Sequence, residues 1–298
     1  MGDSAKPLFR PTFAIGKIMA GLRLFLAISF ALALSIDRSN ADGVLLGPSL
    51  SGAYPQTSLH YAANGNISSS GVYLPGADGF NLADVSSVGA LKSLPRGVKG
   101  LVYLGLCGGA TSHFIKTVKQ FIGRLRLFGF YLMDEPDPST CQAGNLKAEA
   151  DWIHANAPGV ETFIVLMNMS SATNPSYANT YNSANTDIDL FGLDPYPCQQ
   201  QFGGCNYKVI PAAVAAAEAS GIAASQIVPV YQAFGGGGYS AWLMPTGAEE
   251  TQLLATWSSV VPAAVFDYAY SWGVQNSDQA LSTSPDLQAV FLQKNEGL

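Results

Sequence analysis

The chain has few charged side chains and few residues that could bind a metal. Only 12% of its 298 residues are charged, its formal net charge is −6, and it has three histidines and four cysteines. No basic cluster follows residue 41, which argues against a nucleic-acid partner. The cysteines lack C-x-x-C spacing and the histidines are scattered, so the sequence supports neither a zinc site nor a Ser-His-Asp triad. We therefore expect no metal and no cofactor.

Residues 1–41 have the pattern of a secretory signal peptide. A basic lead that includes Arg10, Lys17 and Arg23 precedes the apolar run LFLAISFALALS, and the small residues Ser39 and Ala41 mark a possible cleavage point. The run is shorter than the ~20 apolar residues of a typical membrane-spanning helix. We predict a leader over 1–41 and a mature, secreted or periplasmic chain over 42–298 with no membrane association, while an uncleaved N-terminal anchor is the alternative.

An exported chain can form disulfides, and the four cysteines suggest two. Cys198 and Cys205 flank the short segment QQQFGG, which makes a local bridge easy to close. Cys107 and Cys141 would then pair and join two neighbouring loops. Four cysteines allow three connectivities, and this one is favoured without being fixed.

A short apolar strand, a Gly/Pro/Asn loop and a helical stretch recur along the chain, with no linker and no repeated sequence. Near-continuous apolar runs favour strands covered on both faces. The predicted strands are 43–49, 71–76, 100–106, 127–133, 161–168, 189–197, 227–235 and 266–273. The predicted helices are 83–94, 110–125, 143–157, 209–220, 247–261 and a closing helix over 284–294.

Eight such units favour an α/β fold, a single-domain (β/α)8 TIM barrel over 42–298. The second unit is the weakest, because the segment 54–70 shows no helical pattern. An open, doubly wound sheet is the alternative. The oligomeric state cannot be read from the pattern.

In such a barrel the functional groups gather where the strands end. The predicted strand ends carry carboxylates, amides and aromatic rings and almost no lysine or arginine. They are Asp134, Glu135, Asn168, Asp194, Tyr196, Tyr231, Gln232, Tyr270 and Trp272. Carboxyl pairs cleave glycosidic bonds, while amides and aromatic rings bind sugars. The Gly-rich segment 234–240 matches no phosphate-binding spacing and is interpreted as a flexible loop near the site. The expected partner is a carbohydrate.

Glu135 is our candidate for the proton donor, with its pKa raised by apolar neighbours and by Asp134. Adjacent strand residues point to opposite faces, so we expect Asp134 to face differently and to hold Glu135 or a neighbour by a hydrogen bond. An acidic helix N-terminus is the alternative. It accounts for Asp137 but leaves Asp134 and Glu135 unexplained.

Asp194 is the candidate for the second carboxylate, and an Asp-Pro turn starter is the competing interpretation. We expect only one of Tyr270 and Trp272 to face inward. We favour Trp272 as the aromatic ring on which a sugar stacks. Tyr231 and Gln232, which end the seventh predicted strand, are further candidates for substrate binding.

The segment GFYLMDEP resembles the fourth-strand Asn-Glu-Pro motif of a large clan of barrel glycoside hydrolases, which implies that Glu135 is the acid. That clan has a nucleophilic glutamate at the end of strand seven, where this chain has Gln232. Chitinase-type barrels are also similar, since Asp194, Tyr196 and Trp272 match their strand-six and strand-eight positions. Such enzymes can use the substrate's acetamido group in place of a nucleophile. The spaced aspartates before their acid are absent here.

The resemblance implies a divergent barrel glycoside hydrolase of no narrower family. Its mechanism would be carboxylate general acid/base catalysis on a polysaccharide or oligosaccharide. A non-catalytic carbohydrate-binding barrel is the alternative, because a missing seventh-strand carboxylate is expected of an enzyme that has lost its activity.

Overall fold

The computed structural model describes residues 57–297, so the predicted leader (1–41) and the first predicted strand (43–49) lie outside the described residues. Eight parallel strands, labelled β1–β8 here, close into a barrel in which β1 pairs with both β2 and β8. They are His60–Ala62, Leu82–Val85, Lys99–Tyr103, Leu127–Asp134, Glu161–Val165, Leu190–Leu193, Ile227–Gln232 and Asp267–Tyr270. Closure confirms the (β/α)8 prediction and excludes the open sheet.

The helices α1–α7 of the described residues are Val88–Ser93, Ser112–Lys119, Ala143–Asn156, Ser183–Thr186, Val209–Ala219, Gly247–Val260 and Pro285–Asn295. Local capping starts several of them. The Thr111 side chain accepts from the Phe114 N–H at 3.2 Å before α2, and Thr246 forms a capping box with Glu249 before α6. All are near predicted helices except the short α4, which has no periodic signal.

The first two units differ from the prediction. The predicted strand 71–76 is a turn that leads into the 3₁₀ helix Pro75–Asp78, because proline lacks the N–H that a ladder needs. Of the predicted helix 83–94, the first residues form β2, and the helix begins only after Ser87, whose side chain caps the Ala90 N–H. The barrel thus takes its first strand from His60–Ala62.

The core has two layers, which explains the apolar runs. Side chains such as Tyr61, Leu101 and Phe163 fill the barrel interior. The alternate residues pack between the strands and the helices, as Val102 and Ile164 do. Strands buried on both faces need apolar residues at nearly every position.

The end of the barrel at which the strands start, called the bottom here, contains a buried ionic cluster. Asp267 starts β8, its two carboxylate oxygens each lie 3.0 Å from His60 Nδ1, and it accepts a hydrogen bond from Lys294 Nζ. Lys294 belongs to α7, so the cluster joins the closing helix to β1 and β8.

Candidate active site

A cavity of about 550 Å³ opens at the other end of the barrel, called the mouth, where the strands end. Three carboxyl groups line it, those of Asp134, Glu135 and Asp194, and no lysine, arginine or histidine lies among its lining residues. Its other polar and aromatic walls include Asn168, Gln199, Gln201, Tyr177, Tyr196, Phe234, Tyr239, Trp242, Tyr268 and Tyr270. The predicted carboxylates are therefore gathered in one place.

A bulge in β4 brings Asp134 into the cavity. The pairing with β5 shifts between Tyr131 and Met133, so one extra residue is accommodated in β4. Inward-facing positions are then three residues apart instead of two. Tyr131 and Asp134 share the interior face, and the Tyr131 hydroxyl donates a hydrogen bond to Asp134.

Glu135 lies just beyond the strand, and its backbone explains its direction. Its N–H still donates to the Val165 carbonyl at 3.1 Å, but its φ is +40°, in the left-handed region that non-glycine residues rarely adopt. The turn aims Glu135 into the same cavity as Asp134. The expectation that the two adjacent side chains face differently is therefore wrong, because strand alternation ends at Asp134.

A similar turn follows β6. Asp194 is the inward-facing residue after that strand, and Tyr196 has a φ of +35° before Pro197. Tyr196 lines the cavity with its ring edge against Phe234, at 5.0 Å between centroids, and against Trp242, at 5.5 Å. Backbone strain of this kind clusters at functional sites.

Burial raises the pKa of all three carboxyl groups, and the charges of neighbouring carboxylates raise those of Glu135 and Asp194 further. Burial first and the charge of Asp134 second raise the pKa of Glu135 to about 7. Burial, with the charges of Glu135 and Asp134, raises the pKa of Asp194 well above its ordinary value. Burial also raises the pKa of Asp134, although the hydrogen bond from Tyr131 opposes this. Since the groups titrate together and no cation lines the cavity, the cluster retains a proton near neutral pH.

Asn168 lines the cavity and also shapes its wall. Its side-chain oxygen accepts from the N–H groups of Ser170 and Ser176, each at 3.0 Å, and its amide donates to the Ser171 carbonyl at 3.2 Å. It thus holds the loop after β5 in place.

The structure does not bring three predicted substrate-binding residues into the cavity. Tyr231 faces the helices, with Lys294 Nζ 5.1 Å from its ring centre, because its neighbour Val230 takes the inward position. Trp272 packs in the outer core, and Tyr270 lines the cavity in its place. Gln232 is fully buried. The preference for Trp272 over Tyr270 is therefore corrected.

The Gln232 amide joins two loops of the cavity wall. Its oxygen accepts from the Cys198 N–H at 2.8 Å, and its nitrogen lies 2.9 Å from the Cys198 carbonyl and 3.0 Å from that of Leu243. These loops carry Gln199 and Trp242 to the cavity. An amide has both the donor and the acceptor that this position needs, whereas a carboxylate has no donor.

Both favoured disulfides are present, Cys107–Cys141 and Cys198–Cys205. The second closes the hairpin that presents Gln199 and Gln201 to the cavity. The first joins the loop after β3 to the segment before α3.

The Gly-rich segment 234–240 lies beside the cavity, and its backbone packs against that of residues 276–278. A Cβ at Gly237 would lie 2.3 Å from the Ser277 carbonyl oxygen, and one at Gly238 would lie 2.3 Å from that of Asn276. Glycine is required there for close backbone approach. The segment carries Tyr239 into the cavity wall.

Sequence reasoning missed Gln199, Gln201, Tyr239 and Trp242. They come from loops, where no periodicity marks a direction. For Tyr270 the sequence did contain a signal, because alternation along β8 places it on the same inward face as Tyr268. Within residues 57–297 no three His, Cys, Asp or Glu side chains are grouped as metal ligands, and no helix is long and apolar enough to span a bilayer.

No family model matches the chain, and no curated protein matches its sequence. In fold it is similar to a chitinase from Rhizomucor miehei, with 14% identity over 80% of this chain and 100% of that one and a TM-score of 0.52. It is also similar to a mutant class V chitinase from Cycas revoluta in complex with (GlcNAc)3, with 10% identity, coverages of 80% and 98% and a TM-score of 0.51.

The spore cortex-lytic enzyme SleL of Bacillus cereus gives 10% identity, coverages of 79% and 73% and a TM-score of 0.51. Several of the similar chains are chitinases of glycosyl hydrolase family 18. At these identities the similarity establishes a shared barrel fold, and an activity has to be argued from the site itself.

Proposed function

We propose that the protein is a glycoside hydrolase in which Glu135 is the general acid and Asp194 its partner or stabiliser. The observation that carries the proposal is the mouth cavity, where Glu135, with a pKa of about 7, meets Asp194 and Asp134 among aromatic walls. A glycosidic oxygen leaves only when protonated, and a carboxyl group that keeps its proton near neutral pH can supply it.

The carboxylate beside the acid has the second task. A positively charged centre develops at the anomeric carbon as the bond breaks, and an ionised Asp194 or Asp134 would stabilise it. Tyr196 and Trp242 offer ring faces to the sugar, and Asn168, Gln199 and Gln201 offer amides to its hydroxyl groups. The fold similarity to chitinases makes N-acetylglucosamine oligomers reasonable first substrates.

The position of Gln232 weakens the case for a binding protein without catalysis. That case rested on a missing carboxylate at the end of strand seven. Gln232 binds backbone groups of Cys198 and Leu243, which supports a structural role for this amide in holding the cavity wall. Export to an oxidising compartment is part of the proposal, and the two disulfides support it.

The test is release of reducing ends from a glycan panel by the full chain, run beside Glu135→Gln. This change keeps the size of the side chain and removes its acid, so we expect activity to fall by about 10²- to 10⁴-fold. Glu218→Gln, on the exposed face of α5, is the matched control and should retain activity.

If both variants cleave as the parent does, Glu135 is not the acid. If the parent binds a glycan in a pull-down and cleaves none, the non-catalytic carbohydrate-binding interpretation replaces this one.

A further inference from the structure

Three neighbouring strands end at the mouth in a row of inward-facing side chains. Leu82 and Leu101 belong to the interior core, so Asp84 and Tyr103, each two residues further on, face the interior as well. β2 pairs with β3 and β3 with β4, which places Tyr103 between Asp84 and Asp134. Asp134 lines the described cavity, so the row extends the mouth beyond it towards β2.

Tyr103 differs from the other tyrosines of the barrel interior in its exposure. It is 42% exposed, whereas Tyr61, Tyr131 and Tyr268 are at most 4% exposed. Its ring packs edge-on against Tyr131, with 5.2 Å between centroids and 74° between planes. A Cβ at Gly105 would lie 3.2 Å from the ring, so Gly105 packs against the ring and a larger residue would crowd it.

Acceptor groups flank this ring. The Asp84 carboxylate accepts from the Asn64 N–H at 3.3 Å and forms a hydrogen bond with Tyr61, and Asp134 lies on the other side. Burial, then the charges of Asp134 and Asp84, raise the pKa of Tyr103, as expected for a hydroxyl near two carboxylates. A pyranose ring has an apolar C–H face and a rim of hydroxyl donors, which an aromatic face between carboxylates complements.

The barrel order places this row across the mouth from the aromatic wall. β3 and β7 are four strands apart in a closed ring of eight, so Tyr103 lies opposite the loop after β7, which carries Trp242. Glu135, at the end of β4, lies between them. A single sugar unit would not reach from one side to the other, but a chain of several units would.

We propose that Tyr103 and Asp84 form a second sugar subsite, so that a glycan chain lies across the mouth and is cleaved at an internal bond. This rests on the proposed glycoside hydrolase function. Tyr103 would stack on a sugar ring, and Asp84 would accept hydrogen bonds from its hydroxyl groups. Neither residue takes part in bond cleavage.

The experiment measures binding against chain length, in the Glu135→Gln background so that nothing is cleaved. The probes are β-1,4-linked oligomers of N-acetylglucosamine, glucose and xylose, each from two to six units, and binding is followed by titration calorimetry. Adding Tyr103→Ala should weaken binding of the longest oligomers about tenfold and leave the disaccharide within about twofold, since only long chains reach the subsite. Asp84→Asn should show the same length dependence.

Two variants separate stacking from damage to the fold. Tyr103→Phe keeps the aromatic face and should bind long oligomers far better than Tyr103→Ala. Leu125→Ala, at a fully exposed position, should bind as the parent does. Thermal melting of each variant confirms that it is folded.

A loss of affinity in Tyr103→Ala that is equal at every length, or no loss, overturns the subsite and leaves the proposed function standing. Release of only terminal units from hexamers by the parent overturns internal cleavage. If the parent cleaves no oligomer and the Glu135→Gln chain binds none, the proposed function falls and the subsite with it.

Discussion

The two ends of the barrel treat buried carboxylates in opposite ways. At the bottom, burial raises the pKa of Asp267, but the attraction of His60 and Lys294 outweighs it and the pKa is lowered. At the mouth, Glu135 and Asp194 have no cation among the residues that line their cavity, and their pKa values are raised. The paired carboxylate is fixed as an ion that supports the fold, whereas the unpaired ones can carry and release a proton.

The largest expected effect comes from breaking the bottom cluster. Lys294→Ala leaves Asp267 buried without its ammonium partner, so we expect the free energy of unfolding to fall by about 3–5 kcal/mol. Urea denaturation measures it. Lys147→Ala is the matched control, because Lys147 pairs with Asp151 at 2.8 Å on an exposed helix face. Its removal should change the free energy of unfolding little, because solvent screens an exposed pair, and equal losses in the two variants would contradict the contrast between buried and exposed pairs.

A new charge in the wall of the mouth should lower the free energy of unfolding by less than Lys294→Ala does. Gln232→Glu replaces an N–H donor with an oxygen that faces the carbonyls of Cys198 and Leu243. We expect a loss of about 2–3 kcal/mol in the free energy of unfolding, because the new carboxylate has no donor in place of the lost amide. Chemical denaturation of Gln232→Glu and of the exposed Gln252→Glu gives the comparison. A stable Gln232→Glu chain would mean that the wall tolerates the missing amide.

Replacing Glu135 with glutamine should raise the free energy of unfolding of the protein, but only at high pH. The folded-state pKa of Glu135 is raised to about 7 from an ordinary 4.5, so the folded chain binds more protons than the unfolded chain between these values. Its contribution to stability therefore falls as pH rises through this window.

Glu135→Gln should consequently be more stable than the parent at pH 8, by about 1 kcal/mol or less since solvent screens the exposed side chain. The two should be equal at pH 4. Thermal unfolding at both pH values measures this, with Glu218→Gln as the control. A gain of equal size at pH 4 would show that ionisation of Glu135 is not its cause.

The smallest effect tests the hydrogen bond beside the acid. The hydrogen bond from Tyr131 lowers the pKa of Asp134 against the effect of burial, so Tyr131→Phe should raise that pKa. Carbon NMR titration of the Asp134 carboxyl measures the shift. Tyr73→Phe, whose hydroxyl donates to the Leu82 carbonyl at 3.3 Å, is the control and should leave it unchanged.

The fold could be predicted where strands are long and apolar, and not where they are short. β4 is eight residues long and lies where its pattern predicts. β1 has three residues, too few to show a period, and β2 lies within a segment that resembles a helix.

The residues of the candidate site also divide into those that could be predicted, because they follow apolar strands, and those that could not. Asp134, Glu135, Asn168, Asp194 and Tyr196 follow strands that the pattern marks, and the structure places all five in the cavity wall, while their roles stay proposals. Trp242 and Tyr239 depend on loop paths that a sequence pattern does not specify. Asp84 could not be predicted as a strand-end residue, because the sequence pattern assigns 83–94 to a helix.

The cluster of His60, Asp267 and Lys294 also bears on how the chain is made. His60 and Asp267 are 207 residues apart in sequence, and Lys294 lies 27 residues beyond Asp267. All the residues between His60 and Asp267 must therefore leave the ribosome before the first and last strands of the barrel can meet. Until then the earlier strands have unpaired edges, so the growing chain depends on protection from aggregation during translation.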